Sequence, residues 1–285
     1  MATSAHSLRT RLYNIAKDEK LSFQDLIHRY GIEQFLERLS RSRHADRFIF
    51  KGGSLLAYLI DSERQTRDAD FSVRHTSCEV HDAAKTIDEI LSLSSDDGIE
   101  WGPAVGEPLN HPEMDYPGVR IKTDFALCGA RGALRLDLAI GDIVEPTPTV
   151  LERIRYRGAP LVGNDFEVMA YSAETIFAEK LQIAINRAGA NTRMKDYYDL
   201  LKLIESQLLT DDRLRGAILT TFAKRGTAIA RQIDFDAPTR LRLQTHWGHY
   251  IRKMKLRRVP STIDDLIGAI NDYLQRVWNG EKTGS

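Results

Sequence analysis

Cysteine is scarce in this sequence: Cys78 and Cys128 are its only two thiols in 285 residues, and their spacing fits neither a CxxC pair nor a Cys/His metal site. A disulfide framework and a structural zinc site are therefore excluded, and a reducing compartment fits best. The chain also lacks a run of about 18 apolar residues, the length that a membrane helix needs. Its first residues lack the apolar core of a secretory signal. We expect a cytoplasmic protein with no membrane partner.

Net charge is absent as well, because 40 Lys and Arg balance 40 Asp and Glu. The balance hides a difference along the chain: residues 1–165 carry 21 basic against 26 acidic side chains, and residues 166–285 carry 19 against 14. Ordinary fluctuation explains this difference, or else an acidic, metal-binding part precedes a basic part that handles phosphate or nucleic acid. The length allows two domains. We predict their boundary between residues 165 and 166.

Apolar periodicity predicts that the first domain, residues 1–165, combines helices and strands. We expect helices over 7–17, 22–40, 55–60 and 80–93, the second with a break near Gly31. We expect strands over 47–50, 69–74, 118–127 and 133–140, and a last strand over 168–171, just after this domain. Residues 99–117 are rich in Pro and Gly and predict a loop with at most one strand. Residues 128–132 have the length of a hairpin turn between strands 118–127 and 133–140, and residues 142–148 form a turn-rich connection.

The pattern after residue 171 is helical almost to the end. We expect helices over 173–188, 193–208, 211–224, 238–256 and 262–278. The predicted fold class is therefore α+β: a core with a mixed or antiparallel sheet and flanking helices, followed by a mostly helical C-terminal domain over 166–285 that completes the active site.

Residues 51–70 read KGGSLLAYLIDSERQTRDAD and contain the most informative pattern. A turn of Gly52, Gly53 and Ser54 opens a short helix, whose first backbone N–H groups can bind a phosphate. Asp68 and Asp70 follow at i and i+2, so on a strand they project from one face. Two such carboxylates suit Mg²⁺, although a lone DxD pair is more often solvated surface. Turn and acids lie at one end of a sheet if strands 47–50 and 69–74 are neighbours.

Three further charged residues lie in otherwise apolar segments. Asp137 stands between Leu136 and Leu138 on a predicted strand, either as an acid on its polar side or as a third carboxylate of a metal site. Lys180 lies at the edge of the apolar arc of helix 173–188, where it either snorkels to solvent or holds triphosphate oxygens. Asp196 falls between apolar positions on helix 193–208, so we predict a functional acid there.

Two other charged features have ordinary structural interpretations. Asp199 stands four residues after Lys195, which is the spacing of a helical ion pair, and this favours a structural role. The basic run over 250–258, YIRKMKLRR, is typical of the solvated face of a helix. The same run could contact an RNA backbone, with an affinity that depends on salt.

Taken together, four motifs resemble the AbiEii nucleotidyltransferase toxin family, which includes the MenT toxins of type IV-like toxin–antitoxin systems. They are KGGS at 51–54 with RxTxDxD at 64–70, LRLDLAIGD at 134–142, AEKL at 178–181 and RMKDYYDL at 193–200. The resemblance implies a polymerase-β-like nucleotidyltransferase core. It also implies Mg²⁺ at Asp68 and Asp70, with Asp137 matching the third carboxylate of the wider superfamily, and contacts from Ser54 and Lys180 to the nucleotide phosphates. Asp196 would be the catalytic acid.

The resemblance further implies transfer of nucleotides from an NTP to the 3′ end of tRNA, which blocks aminoacylation and growth, and a cognate antitoxin as partner. Two alternatives stay open: a protein or small-molecule acceptor, and a non-catalytic binding protein with the same fold. A further hypothesis concerns Thr66, because a phosphate two residues before Asp68 would compete for Mg²⁺ and give an antitoxin a way to silence the enzyme.

Overall fold

The structure is a computed structural model that describes residues 5–60, 66, 68–74, 79–109, 118–140, 145–187 and 193–280. The chain divides into two compact units, one formed by Met1–Tyr58 with Gln65–Tyr171 and one by Leu59–Arg64 with Ser172–Ser285. Strand 166–170 belongs to the first unit, and the domain boundary at residue 165 stays a prediction. No helix of the described residues has both the length and the apolar content needed to cross a membrane.

The first unit is built on an eight-stranded mixed sheet. Its helices are α1 (Ala5–Asp18), α2 (Phe23–Arg41), α3 (Gly52–Leu59) and α4 (Val80–Leu91). Its strands are β1 (Phe48–Lys51), β2 (Asp68–Val73), β3 (Ile99–Trp101), β4 (Val105–Leu109), β5 (Gly118–Leu127), β6 (Ala130–Ile140), β7 (Thr147–Leu151), β8 (Arg155–Tyr156), β9 (Ala159–Pro160) and β10 (Phe166–Ala170). Strands β8 and β9 form a separate hairpin.

The strand order of the large sheet is β3-β5-β6-β2-β1-β10-β7, with β4 also paired to β5. The pairs β2–β6 and β1–β10 are parallel, and the other pairs are antiparallel. The second unit contains α5 (Ala173–Arg187), α6 (Met194–Glu205), α7 (Asp211–Lys224), α8 (Ala237–Met254) and α9 (Ile263–Asn279). The predicted α+β class, a mixed sheet with flanking helices followed by a helical part, is confirmed.

An aromatic cluster fixes which face of β2 is buried. Phe71 packs against Phe35, Phe48 and Phe50, with ring centroids 5.3–5.9 Å apart. All four rings are fully or almost fully buried. Because side chains alternate along a strand, burying Phe71 in this core turns the neighbouring residue Asp70 to the opposite face.

Two expectations about this unit were wrong. Helix α2 continues through Gly31 without a break. The glycine is there because the Phe125 ring packs closely against the helix: a Cβ at position 31 would lie 2.5 Å from that ring. Residues 99–109 hold two strands, β3 and β4, where at most one was expected. Both strands pair with β5 and are largely exposed, so backbone pairing forms them without a clear apolar alternation.

Candidate functional site

The turn from β1 into α3 is built around Gly52. This residue has a φ of 73°, in the left-handed region that glycine adopts at little cost. In the antiparallel pair of β1 and β2, Lys51 lies opposite Asp70. A side chain at Gly52 would place its Cβ 2.1 Å from Asp70 Oδ2. The glycine turn and the second acid of the DxD pair are therefore in direct contact. The sequence predicts only that they lie at one end of the sheet if the two strands are neighbours, and β1 and β2 are paired.

The start of α3 is also tied to β2 by hydroxyl groups. Ser54 is buried and its Oγ donates to the Asp68 carbonyl oxygen at 2.5 Å. Thr66 Oγ1 donates to the Gly53 carbonyl oxygen at 3.4 Å. These bonds hold the first turn of the helix, with its backbone N–H groups that lack intrahelical partners, beside the acidic strand. In this structure the Ser54 hydroxyl donates to a backbone carbonyl oxygen. Its predicted contact with phosphate stays a prediction.

Asp68 and Asp70 stand on one face of β2 at i and i+2, with buried Ala69 between them. The Asp68 side chain is 44% exposed, but its Oδ1 is shielded from solvent and accepts no hydrogen bond from the described residues. Arg135 Nη1 lies 3.9 Å from this oxygen. A buried carboxylate oxygen of this kind normally has a partner. Mg²⁺ prefers such oxygens, so the pair fits the metal that the resemblance implies.

No group of three or more His, Cys, Asp or Glu side chains in the described ranges is arranged to hold a metal ion. In enzymes that transfer phosphate groups, Mg²⁺ usually binds one or two carboxylates together with water and substrate phosphates, and Asp68 and Asp70 supply two carboxylates of this kind.

Asp137 lies beside this pair and already has a partner. In the parallel register of β2 and β6, Asp137 stands next to Asp70. From β5, Arg120 donates two hydrogen bonds of 2.7 Å to the Asp137 carboxylate, Nε to Oδ1 and Nη2 to Oδ2. These bonds raise the pKa of the Arg120 guanidinium above its ordinary value. The role of Asp137 as a third metal ligand stays a prediction, and Arg120 is a residue that sequence reasoning missed.

The second unit contains its own charged cluster, centred on Lys180. This side chain is largely buried on α5, and its Nζ lies 2.9 Å from Asp196 Oδ1 and 2.7 Å from Asp199 Oδ2, both on α6. Burial by itself lowers the pKa of Lys180, but the two carboxylates outweigh it and raise the pKa above the ordinary value. Lys180 is thus a buried cation with two acids, and the alternative of a snorkelling lysine is wrong.

Asp196 also pairs with a second cation, Arg193, which lies at the start of the same helix. Arg193 Nε is 3.2 Å from Asp196 Oδ2. Burial raises the pKa of Asp196, but Lys180 and Arg193 more than offset it, and the pKa ends below its ordinary value. The acid is ionised at neutral pH. Asp199, for which the spacing from Lys195 favours a structural role, also contacts Lys180 and joins the same cluster.

The structure thus assembles the predicted residues in two groups. Within the first unit, the turn contacts the acid pair on β2, and Asp137 stands beside that pair on β6. Within the second unit, Lys180 contacts Asp196. The expectation that Lys180 and Asp196 serve the same nucleotide as Asp68 joins residues of both units and stays a prediction.

Two solved structures from Helicobacter pylori resemble the chain. One is JHP933, with a TM-score of 0.48, 15% sequence identity and coverage of 91% of this chain and 97% of that protein. The other is provisionally described as a nucleotidyltransferase, with a TM-score of 0.45, 17% identity and coverage of 82% and 98%. No curated protein matches the chain.

A family model matches most of the sequence. The model describes the nucleotidyl transferase AbiEii toxin of type IV toxin–antitoxin systems, and its match runs over residues 34–269. That range contains the turn at Gly52, the acid pair on β2 and the Lys180 cluster. The chain belongs to the AbiEii nucleotidyltransferase toxin family.

Proposed function

We propose that this protein is a Mg²⁺-dependent nucleotidyltransferase that transfers nucleotides from an NTP to the 3′ end of tRNA, which blocks aminoacylation and stops growth. Family membership supports nucleotidyl transfer. The observation that carries the proposal is the contact of Gly52 with Asp70, because it brings a helix N-terminus to a carboxylate that we propose as a metal ligand. Phosphate cradle and metal ligand are what transfer chemistry on a triphosphate requires.

Asp68 and Asp70 would hold the Mg²⁺ ion, which neutralises charge on the phosphates and aligns the reacting groups when bound. The backbone N–H groups at Gly53 and Ser54 would bind phosphate oxygens at the start of α3. The 3′-hydroxyl oxygen of the acceptor forms a bond to the α-phosphorus of the NTP. The bond from that phosphorus to the bridging oxygen breaks, and pyrophosphate leaves with its electron pair.

The proposal gives two roles to the Lys180 cluster. A triphosphate oxygen would bind at Lys180 Nζ in exchange for one of its carboxylates, because phosphate and carboxylate oxygens are both good partners for an ammonium group. Asp196 would then accept the proton that the acceptor hydroxyl loses, or position that hydroxyl. An acid kept ionised at neutral pH, as Asp196 is, can do either.

Incubation of the protein with Mg²⁺, radiolabelled NTPs and total tRNA tests the proposal. We expect label on the RNA 3′ end, and loss of that label in Asp68→Ala. Asp124→Ala is the matched control, because Asp124 is an exposed acid on β5 of the same sheet and should retain activity. Label that survives Asp68→Ala would remove the metal assignment. Label on a protein or a small molecule would instead favour the other acceptor classes.

Control by an antitoxin also belongs to the proposal. Expression of the wild type should arrest growth, expression of Asp68→Ala should not, and co-expression of a cognate antitoxin should restore growth. Thr66 is a candidate for modification because its hydroxyl contacts the carbonyl of Gly53, next to the phosphate cradle. We expect Thr66→Glu to lose activity, since the added charge lies beside Asp68, and Thr66→Val to retain it. A fully active Thr66→Glu variant would argue against this regulation.

A further inference from the structure

The segment 237–262, which holds α8 and the loop after it, is strongly one-sided in charge. It contains seven Arg and Lys residues and no Asp or Glu. At its start, acids from outside the segment neutralise Arg240, whose guanidinium lies 3.2 Å from Asp234 and 3.1 Å from Asp264. The basic residues without acidic partners therefore lie mainly at the C-terminal end of the segment.

Five cations stand at that other end, and we call them the α8 basic surface: Arg252, Lys253, Lys255, Arg257 and Arg258. All five are exposed, and none of them forms an ion pair with a residue that the structure describes. Other cations of the same unit do have acidic partners, such as Lys202 with Glu205 and Arg225 with Glu179. Clustered like charges repel one another, so this surface has an electrostatic cost that an anionic partner would remove.

The loop that carries three of these cations is anchored to α8. Lys255 ends the helix in the left-handed conformation, and its N–H donates to the carbonyls of Ile251 and Arg252. Trp247 is fully buried and its Nε1 donates to the Pro260 carbonyl at 2.9 Å, while Leu256 is nearly buried. The positive charges are therefore held on a fixed turn, and binding would order little additional chain.

Helix-end stabilisation explains only part of this surface. Cations in the last turn of a helix interact favourably with its dipole, which accounts for Arg252 and Lys253. Lys255 is the C-cap residue and shares this stabilisation, whereas Arg257 and Arg258 lie beyond the end of the helix. Arg257 and Arg258 thus have no intramolecular ion pair with the residues that the structure describes.

We infer that the α8 basic surface binds the phosphate backbone of the RNA acceptor, an inference that rests on the proposed function. The surface favours RNA over a protein partner because a protein interface normally has an apolar or aromatic centre. Between residues 245 and 262, the described structure has no exposed large hydrophobic side chain. A phosphodiester backbone needs only positive charge and hydrogen-bond donors, which Arg and Lys supply.

Filter binding of labelled tRNA at increasing salt tests the inference without any catalytic step. A variant with all five residues changed to Gln should bind tRNA at least tenfold more weakly. Its plot of log affinity against log salt should be less steep by about 0.7–0.9 for each phosphate that the variant no longer neutralises. The KM for NTP should not change.

A matched pair of double variants separates position from total charge. Arg257→Gln with Arg258→Gln should weaken tRNA binding, whereas Arg240→Gln with Arg242→Gln, at the start of α8, should leave it unchanged. Unchanged tRNA affinity and salt dependence in the five-residue variant would overturn the inference, as would equally strong binding of polyglutamate by the wild type. Failure of the proposed function is a different result, because the wild type would then label no RNA at all.

Discussion

The carboxylate of Asp70 occupies the space into which a side chain at Gly52 would project, with only 2.1 Å between Oδ2 and the position of a Cβ. Gly52 also has a φ of 73°. Position 52 therefore requires glycine for two reasons: the backbone adopts a left-handed conformation, and the Asp70 carboxylate leaves no space for a side chain. Substitution should affect both the fold and the candidate metal site.

We expect Gly52→Ala to destabilise the protein by roughly 1 kcal/mol or more from its backbone conformation alone, and in addition to displace Asp70. Binding of Mn²⁺, followed by electron paramagnetic resonance as a substitute for Mg²⁺, should weaken at least tenfold. Urea unfolding measures the change in the free energy of unfolding. An alanine variant that binds Mn²⁺ like the wild type would show that the contact does not hold Asp70 in place.

Two other glycines separate the causes. Gly158 has a φ of 83° but open space around it, so Gly158→Ala should have the backbone cost and keep Mn²⁺ binding. Gly216 lies within helix α7, also with open space, so Gly216→Ala should stabilise by about 0.5–1 kcal/mol. Weaker Mn²⁺ binding in Gly158→Ala would mean that general destabilisation explains the Gly52 result.

The paired hydrogen bonds between Arg120 and Asp137 predict coupled effects on activity. Each substitution removes the partner that orients the other side chain, so Arg120→Gln and Asp137→Asn should lower kcat/KM by similar factors, and the double variant should lose little more than either. The Mg²⁺ concentration for half-maximal activity should rise in Asp137→Asn, because Asp137 is the predicted third metal ligand, and should be unchanged in Arg120→Gln. An unchanged Mg²⁺ requirement in Asp137→Asn would contradict that role.

Much of the first group of site residues could be predicted from the sequence, because local rules define it. Alternation along β2 turns Asp68 and Asp70 away from the buried Phe71, and the glycine pair indicates where α3 begins. Arg120 was within reach of the same reasoning. The hairpin turn at 128–129 pairs residues at equal distances on either side, which brings Arg120 opposite Asp137.

The rest depends on contacts between elements that are distant in sequence. On α6 alone, Asp199 has the spacing of a helical ion pair with Lys195, and only the packing of α5 against α6 brings Lys180 within 2.7 Å of it. Tertiary contact thus adds a partner that helical spacing does not indicate. The edge strand β4 was missed for a similar reason, since its pairing with β5 gives no apolar pattern of its own.

The Lys180 cluster predicts a large effect on stability. Lys180→Met leaves Asp196 and Asp199 buried without the cation that contacts both, and removal of one partner from a buried ion pair costs about 3–5 kcal/mol. Adding Asp196→Asn and Asp199→Asn should recover most of that loss. Lys202→Met is the matched control: this lysine pairs with exposed Glu205 on α6, so the loss should stay below about 1 kcal/mol. Equal losses in Lys180→Met and Lys202→Met, by urea unfolding, would contradict the assignment.

The last prediction concerns a buried acid in the first unit that has no predicted role in the candidate site. Glu33 on α2 is fully buried, and it accepts a 2.6 Å hydrogen bond from the Ile154 backbone N–H, with Arg153 Nη1 3.6 Å away. Burial raises the pKa of Glu33 from 4.5 to about 7, although Ile154 and Arg153 both act to lower it. The folded protein therefore holds this proton more tightly than the unfolded chain does.

Stability should consequently depend on pH through Glu33. Its contribution is fully present below pH 4.5 and declines as the pH rises toward 7, because the unfolded chain releases the proton first. At about 1.4 kcal/mol per pKa unit, the free energy of unfolding should fall by about 3 kcal/mol over that window. Glu33→Gln keeps an oxygen for the Ile154 N–H but cannot titrate, so subtracting its urea-unfolding profile from that of the wild type isolates the effect. Parallel profiles between pH 4.5 and 7 would show that Glu33 ionises alike in both states.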